Sequence, residues 1–273
     1  MIRAILERAR QGYRTTRYPK GEPPALSPRF RGRPEIDASL CGGCGEGGND
    51  RACAKACPVG AIRLDAGTPT GPNRRSGPRL DLGLCIFCAE CERVCPERAI
   101  DFSKDCRLAT RGRAELVLGP GDARIELAHE LDAKLKRLFG RSLKLRQVSA
   151  GGCNACEADA NVLGTVGWDF GRFGIQFVAS PRHADALLVT GPVARNMELA
   201  LRKTYQAMSE PRLVIASGAC AISGGIYADS PEALGGVAAV LPVDLYVPGC
   251  PPHPLTLLDG LLRLLGRIEE GPR

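Results

Sequence analysis

Thirteen cysteines are spread over 273 residues, and the spacing of one group defines a chemistry. Cys85, Cys88, Cys91 and Cys95-Pro96 form the pattern C-x2-C-x2-C-x3-C-P. Three thiolates on so tight a loop can take three corners of a [4Fe–4S] cube. The fourth, at the start of a helix and followed by proline, points away to a second cube. That geometry requires a partner motif, and Cys41, Cys44, Cys53 and Cys57-Pro58 supply one as C-x2-C-x8-C-x3-C-P, with x8 where the standard gap is x2. Crossed ligation then assigns Cys41, Cys44, Cys53 and Cys95 to one cube. Cys85, Cys88, Cys91 and Cys57 go to the other. A pair of zinc sites is the plainer account of C-x2-C pairs, but it does not explain this spacing given twice.

Four more cysteines gain meaning from the elements that must position them. From residue 143 onward, aliphatic runs alternate with helical ones. Residues 143–148, 175–179, 184–190, 212–217 and 243–247 read as strands, and 157–163, 193–208, 231–240 and 253–265 as helices. This alternation predicts a parallel sheet with covered faces. Cys153 and Cys156 follow the first strand, Cys220 the fourth and Cys250 the fifth. These are carboxyl ends of parallel strands, where open α/β sheets place their ligands. Four thiolates converging there would hold a third [4Fe–4S] cluster. Gly151, Gly152, Gly218, Gly224, Gly225 and Gly249 would let backbone N–H groups approach its sulfurs. The alternative, scattered buried cysteines, leaves the shared strand-end position unexplained.

Composition limits the other possibilities. The chain is 44% hydrophobic and 25% charged, which suits two ordinary domains. The odd cysteine count argues against a disulfide framework and for a reducing compartment. Arg3 and Glu7 come too early for the apolar core of a signal peptide, and no apolar run is long enough to span a bilayer. A formal charge of +7 would suit nucleic acid or a lipid surface. A cube held by four thiolates carries about −2, however, so three of them would offset most of that excess. Only 5% of residues are aromatic and none interleave with basic runs, which argues against nucleic acid as a partner. The Gly-rich stretch 218–225 does not match G-x-G-x-x-G, so nicotinamide or flavin binding is not supported.

The remaining segments read as connections. Residues 1–12 place Ile2, Ile5 and Leu6 on one helical face, to lie on a membrane, a partner or their own domain. Residues 13–38, rich in Pro, Arg and Gly, read as an extended strap. Val-Gly-Ala-Ile-Arg-Leu follows Cys57-Pro58, and Glu-Arg-Ala-Ile-Asp-Phe follows Cys95-Pro96. This is an internal repeat of ligand loop, helical turn and short strand, with a polar loop at 66–79 between its halves. So small a unit would depend on its clusters for cross-linking. Ile125, Leu127, Leu131, Leu135 and Leu138 predict a helix over 123–139, capped by Gly140. The expected organisation is a helix and strap (1–38), a two-cluster domain (39–110), a linker with its helix (111–140) and an α/β domain (141–273).

Specific motifs carry a family resemblance. Gly140-Arg-Ser-Leu, Ala150-Gly-Gly-Cys-Asn-Ala-Cys-Glu, Arg172-Phe-Gly, the run from Ser180-Pro-Arg-His to Gly191-Pro-Val, Ser217-Gly-Ala-Cys and Pro242-Val-Asp-Leu-Tyr-Val-Pro-Gly-Cys-Pro-Pro lie within about 135–266. That half resembles the small subunit of membrane-bound group 4 [NiFe]-hydrogenases and the homologous B subunit of complex I. Cys153-x2-Cys156 is the hydrogenase form, since complex I usually has adjacent cysteines there. Residues 1–110, with Tyr18-Pro, Ser27-Pro-Arg-Phe-Arg-Gly-Arg-Pro and Leu84-Cys-Ile-Phe-Cys, resemble the two-cluster ferredoxin subunit of formate hydrogenlyase and complex I. These are normally separate chains, here fused. The long gap between Cys44 and Cys53 departs from the family pattern.

The resemblance implies an α+β two-[4Fe–4S] ferredoxin domain followed by a flavodoxin-like α/β domain. It implies an electron relay through three [4Fe–4S] clusters, the third next to the active site of a partner large subunit of hydrogenase or complex I type. That site is nickel–iron in one lineage and a quinone pocket in the other. It also implies membrane subunits, a formate dehydrogenase-like donor and a peripheral place on the cytoplasmic face of the inner membrane. Weaker candidates are Glu157 on a proton path or as a helix-start carboxylate, Arg182 and His183 facing a partner or simply exposed, and His253 beside the third cube or at a helix start. Cys106 reads as a spare thiol, and Asp159 and Trp168 as structural.

Overall fold

The computed structural model describes residues 2–12, 14–21, 23–41, 52–64, 77–122 and 125–268. Cys44 and most of the 66–79 loop lie outside the described residues. Helix α1 (Ile2–Gln11) carries no buried residue, and Ile2, Ile5 and Leu6 all face solvent. Packing on its own domain, one of the expectations for this helix, is therefore not found. The strap behind it staples two halves together. It first lies on the carboxyl half, where the Thr16 N–H donates to Gly167 O (2.8 Å) and Arg172 donates to the carbonyls of Thr16 and Tyr18 (2.6 and 2.8 Å). It then joins the amino half, where β1 (Pro34–Ile36) pairs antiparallel with β4 (Ile100–Phe102).

The amino half also holds α2 (Ala52–Ala56), β2 (Ile62–Leu64), β3 (Pro78–Asp81), α3 (Glu90–Arg93) and β5 (Val117–Leu118). Strands β2, β3 and β5 form a small antiparallel sheet. Leu80, Leu82, Leu116 and Leu118 are buried around it. The elements are short because ligand loops occupy most of the chain here.

Of the helix expected over 123–139, residues 123 and 124 lie outside the described residues, and from Ile125 onward the chain is helical only as α4 (Ala133–Phe139). Asp132 starts it by accepting the N–H groups of Lys134 and Leu135, both at 3.0 Å. Before that point the backbone bonds sideways, Ala128 N–H to Ala109 O (2.7 Å) and Leu131 N–H to Leu264 O (3.0 Å). Ile125, Ala128 and Leu131 are buried in this extended form. Their spacing suits a helical face, and tertiary hydrogen bonds override it.

The carboxyl half is a five-stranded sheet of β6 (Leu143–Ser149), β7 (Ile175–Phe177), β8 (Ala186–Thr190), β9 (Leu213–Ser217) and β10 (Leu245–Val247). All four neighbouring pairs are parallel, in the order β10-β9-β8-β6-β7. This is the flavodoxin-like order, with its reversal between β6 and β8. Helices α5 (Ala155–Val162), α6 (Arg195–Gln206), α7 (Ala219–Ser223) and α8 (Pro254–Leu264) connect or cover it. Every residue of β8, β9, β10 and α8 is buried, which is why these segments read as unbroken aliphatic runs.

No α-helix forms over 231–240, contrary to expectation. The segment lies alongside 192–195 instead. Arg195 N–H donates to Glu232 O (2.9 Å), Leu234 N–H to Val193 O (2.9 Å) and Gly236 N–H to Pro192 O (3.2 Å). Only a 3-10 turn, Val237–Ala239, remains. Helix α7 has no sequence signal of its own, being one turn long in a Gly- and Ala-rich stretch.

Candidate metal centres

In the amino half, the sequence repeat becomes a repeat of hydrogen bonds. Cys57 Sγ accepts from Ala61 N–H and Cys95 Sγ from Ala99 N–H, both at 3.2 Å. Ala61 O in turn accepts from Asp81 N–H and Ala99 O from Asp37 N–H, both at 2.8 Å. Asp81 and Asp37 then open the two ligand loops, their carbonyls accepting from Cys85 N–H (3.0 Å) and Cys41 N–H (2.9 Å). The pairing is crossed: Cys57 of the first motif is tied to the loop that starts the second, and Cys95 of the second to the loop that starts the first. Gly60 (φ +60°) and Arg98 (φ +50°) take the same left-handed turn at equivalent places.

Cys57, Cys85, Cys88 and Cys91 line one pocket, walled by Val59, Ile62, Leu80 and Phe102 among others. Burial pushes the Cys85 thiol up to about 12, with Cys91, Cys57 and Cys88 adding to the rise against a bond from Phe87 N–H. Cys91 is also pushed up to about 12, by burial and then, against the Glu92 N–H, by Cys57, Cys88 and Cys53. Cys41 is half-buried and Cys53 buried. The remaining member of their expected set, Cys44, lies outside the described residues.

In the carboxyl half, Cys153 follows β6, Cys156 lies in α5, Cys220 in α7 after β9, and Cys250 after β10. Burial raises Cys156 to about 12, with Cys220, Glu157, Cys250 and Cys153 adding to it. Cys220 rises to about 11 through burial and then Cys250 and Cys153, opposed by the Ile226 N–H. Thiols that raise one another stand within Coulombic reach. The backbone comes up against the sulfurs as well. At Gly218 (φ +94°) a Cβ would sit 2.6 Å from Cys156 Sγ, and at Gly225 one would sit 3.0 Å from Cys220 Sγ.

These sets fit an iron–sulfur cube. Clustered thiols, among them the buried Cys85 and Cys91 and the half-buried Cys156 and Cys220, repel one another when ionised and call for a positive centre to take their charge. Backbone N–H groups already donate to their sulfurs, as second-layer support would. A cube presents four separate corners, and a ring of thiols around a cavity matches it.

The weaker candidates have structural places. Glu157, in the first turn of α5, is buried and accepts from Thr190 Oγ1 (2.6 Å). Burial opposes its charge, but bonds from Ser149 and Thr190 outweigh this and hold its carboxyl below the usual range. His253 caps α8, its Nδ1 accepting from Leu255 N–H (3.1 Å). Its ring lies edge-on to Phe30 and Trp168, at 5.1 and 5.8 Å between centroids. Burial lowers its pKa, and Asp159 opposes the shift. Arg182 and His183 sit on a 3-10 turn capped by Ser180, both exposed. Cys106 is buried, its thiol raised to about 12 by burial and then Asp259. Sequence reasoning missed the sulfur-binding amides of Ala61 and Ala99, although the repeated C-P-x-x-A announces them. It also missed the contact between Gly83 and Ser223 (2.7 Å), for which no local signal exists across 140 residues.

Comparison with known proteins agrees with this architecture. Residues 153–264 match the NADH ubiquinone oxidoreductase 20 kDa subunit family, and residues 40–99 match a 4Fe-4S dicluster domain. Formate hydrogenlyase subunit 7 of Escherichia coli is 40% identical over 56% of this chain and 64% of its own length. A probable membrane-bound hydrogenase subunit of Pyrococcus furiosus is 39% identical over 50% of this chain and 83% of its own. The NADH-quinone oxidoreductase B subunit of Heliobacterium modesticaldum is 42% identical over 44% of this chain and 69% of its own. The chain belongs to the NADH ubiquinone oxidoreductase 20 kDa subunit family of oxidoreductase subunits, with a 4Fe-4S dicluster domain ahead of the family's characteristic region.

Proposed function

We propose that this chain is the electron-relay subunit of a membrane-associated group 4 [NiFe]-hydrogenase complex of the formate hydrogenlyase kind. Three [4Fe–4S] clusters would supply its one-electron carriers. Cys41, Cys44, Cys53 and Cys95 would hold one, Cys57, Cys85, Cys88 and Cys91 the second, and Cys153, Cys156, Cys220 and Cys250 the third. The observation that carries the reading is the mutual approach of Cys153, Cys156, Cys220 and Cys250 at the strand ends of a chain that also bears the crossed cysteine repeat.

The protein's own residues do three things in this reading. Thiolates bind. Amides of Ala61, Phe87, Ala99 and Ile226 donate to sulfur and tune it. Apolar walls bury Cys85 and Cys91 of the second set and leave Cys57 and Cys88 half-buried, whereas Cys153 and Cys250 are exposed, and so are Ile226 and Tyr227 just beyond α7. That open face suits a large subunit carrying the catalytic site. Membrane subunits and a formate dehydrogenase-like donor complete the proposed assembly, at the cytoplasmic face of the inner membrane. Among the described residues, no helix is long and apolar enough to cross a membrane, and a peripheral position accords with that.

The NADH-quinone oxidoreductase relatives favour a second reading, a nickel-free, quinone-reducing complex. Anaerobic purification with partners, followed by metal analysis and EPR, tests both. The relay requires about twelve iron atoms per chain, and stoichiometric zinc would overturn it. Nickel in the copurifying large subunit selects the first reading and its absence the second.

A further inference from the structure

The loop from Asp81 to Cys85 lies directly against α7, the helix that carries Cys220. Gly83 is the point of contact: a Cβ there would sit 2.8 Å from Ile222 Cγ2 and 2.7 Å from Arg113 Cζ. Backbone therefore meets helix with no side chain of its own between them. Across this junction, Ser223 Oγ lies 2.7 Å from Gly83 O and 3.1 Å from Ala219 O. A serine hydroxyl has one proton to donate, and the shorter contact takes it. The same oxygen faces Gly225 N–H at 3.4 Å. Gly225 in turn abuts the Cys220 sulfur, and the next amide, Ile226 N–H, donates to it. Arg113 braces the junction with two bonds to Asp81 (2.8 and 2.6 Å), and Thr110 pairs with Tyr246 beside it.

A covalent run from Cys85 through Leu84 to Gly83 is thus continued, through one hydroxyl, to the residues packed on Cys220. Resting on the relay reading, we propose that the Gly83–Ser223–Gly225 contact is the route by which an electron crosses between the Cys57/Cys85/Cys88/Cys91 set and the Cys153/Cys156/Cys220/Cys250 set. Ser223 is its positioning residue. The cluster that one set would hold would be oxidised by one electron and the cluster that the other would hold reduced by one. No bond forms or breaks, and the hydroxyl keeps its proton. A serine that merely bonded back along its own helix would face Ala219 O at the shorter distance, whereas here the carbonyl of the other half is nearer.

The experiment uses the anaerobic holoprotein, given less than one electron per chain by radiolytically generated viologen radical. Redistribution between the two sets is followed by freeze-quench EPR. Ser223→Ala should keep the wild-type iron content, EPR signals and midpoint potentials, yet redistribute electrons several-fold more slowly, and Ser223→Thr should restore the rate. A wild-type rate in Ser223→Ala overturns the route. So does loss of iron or a shifted potential in that variant, which would make the hydroxyl structural, or a defect that Ser223→Thr leaves unrestored. A wild-type protein without a third paramagnetic centre overturns the relay reading itself, a separate outcome.

Discussion

Replacing Gly218 with alanine should remove the proposed third centre alone. Gly218 has φ +94° and ψ 155°, a region essentially reserved for glycine, where a side chain costs about 1–3 kcal/mol. The added Cβ would also stand 2.6 Å from Cys156 Sγ. Ordinary contact between non-bonded heavy atoms begins near 3.5 Å, so the sulfur must retreat by about 1 Å. Metal–ligand distances tolerate only about 0.2 Å of error. Gly218→Ala should therefore fall from about twelve to about eight iron atoms per chain and lose one EPR signal, keeping the signals of the amino half. Gly60→Ala is the control. Gly60 is left-handed at φ +60° with nothing within 4 Å of a Cβ, and Arg98 occupies the equivalent turn without being glycine. Its cost should be about 1–2 kcal/mol with iron retained. Full iron and an unchanged spectrum in Gly218→Ala would refute the argument that this backbone touches a sulfur proposed to bind the third cluster.

Other consequences are as direct. Asp259 is fully buried, with Arg263 bonded to it at 2.8 Å and the Tyr18 hydroxyl on its other oxygen. Asp259→Ala should cost about 3–5 kcal/mol in denaturant unfolding, and Asp259→Ala with Arg263→Met should regain most of it; a single variant within about 1 kcal/mol of wild type contradicts this. Burial disfavours the Asp105 charge, but bonds from Arg107 at 2.6 and 2.6 Å outweigh this and hold its carboxyl below the usual range. Its contribution is complete above about pH 4 and is lost as pH falls through the depressed value. The stability gap between wild type and Asp105→Asn should accordingly be flat near neutrality and narrow in acid; a gap that widens in acid is the opposite result. Glutamates at Ile5 and Leu6 should leave unfolding of the holoprotein within about 0.5 kcal/mol of wild type, since α1 buries nothing; a clear loss of stability would mean that the helix packs on the chain after all.

Local chemistry is legible in the chain, and long-range pairing is not. Cysteine spacing, the C-P-x-x-A repeat and the rhythm of aliphatic runs suffice for the ferredoxin-like and parallel-sheet architectures, because those signals lie within a few residues of one another. The failures share one cause. At 123–132 and 231–240 a helical pattern is present, but backbone groups find partners in distant segments, Ala109, Leu264 and 192–195, and sequence carries no mark of them. The same holds for the site. Residue type and spacing group the thiols, while the folded chain alone decides that Gly83 meets Ser223 and that Tyr18 of the strap reaches Asp259. Hydrogen bonds across more than a hundred residues depend on how two layers stack, and that is a property of three dimensions.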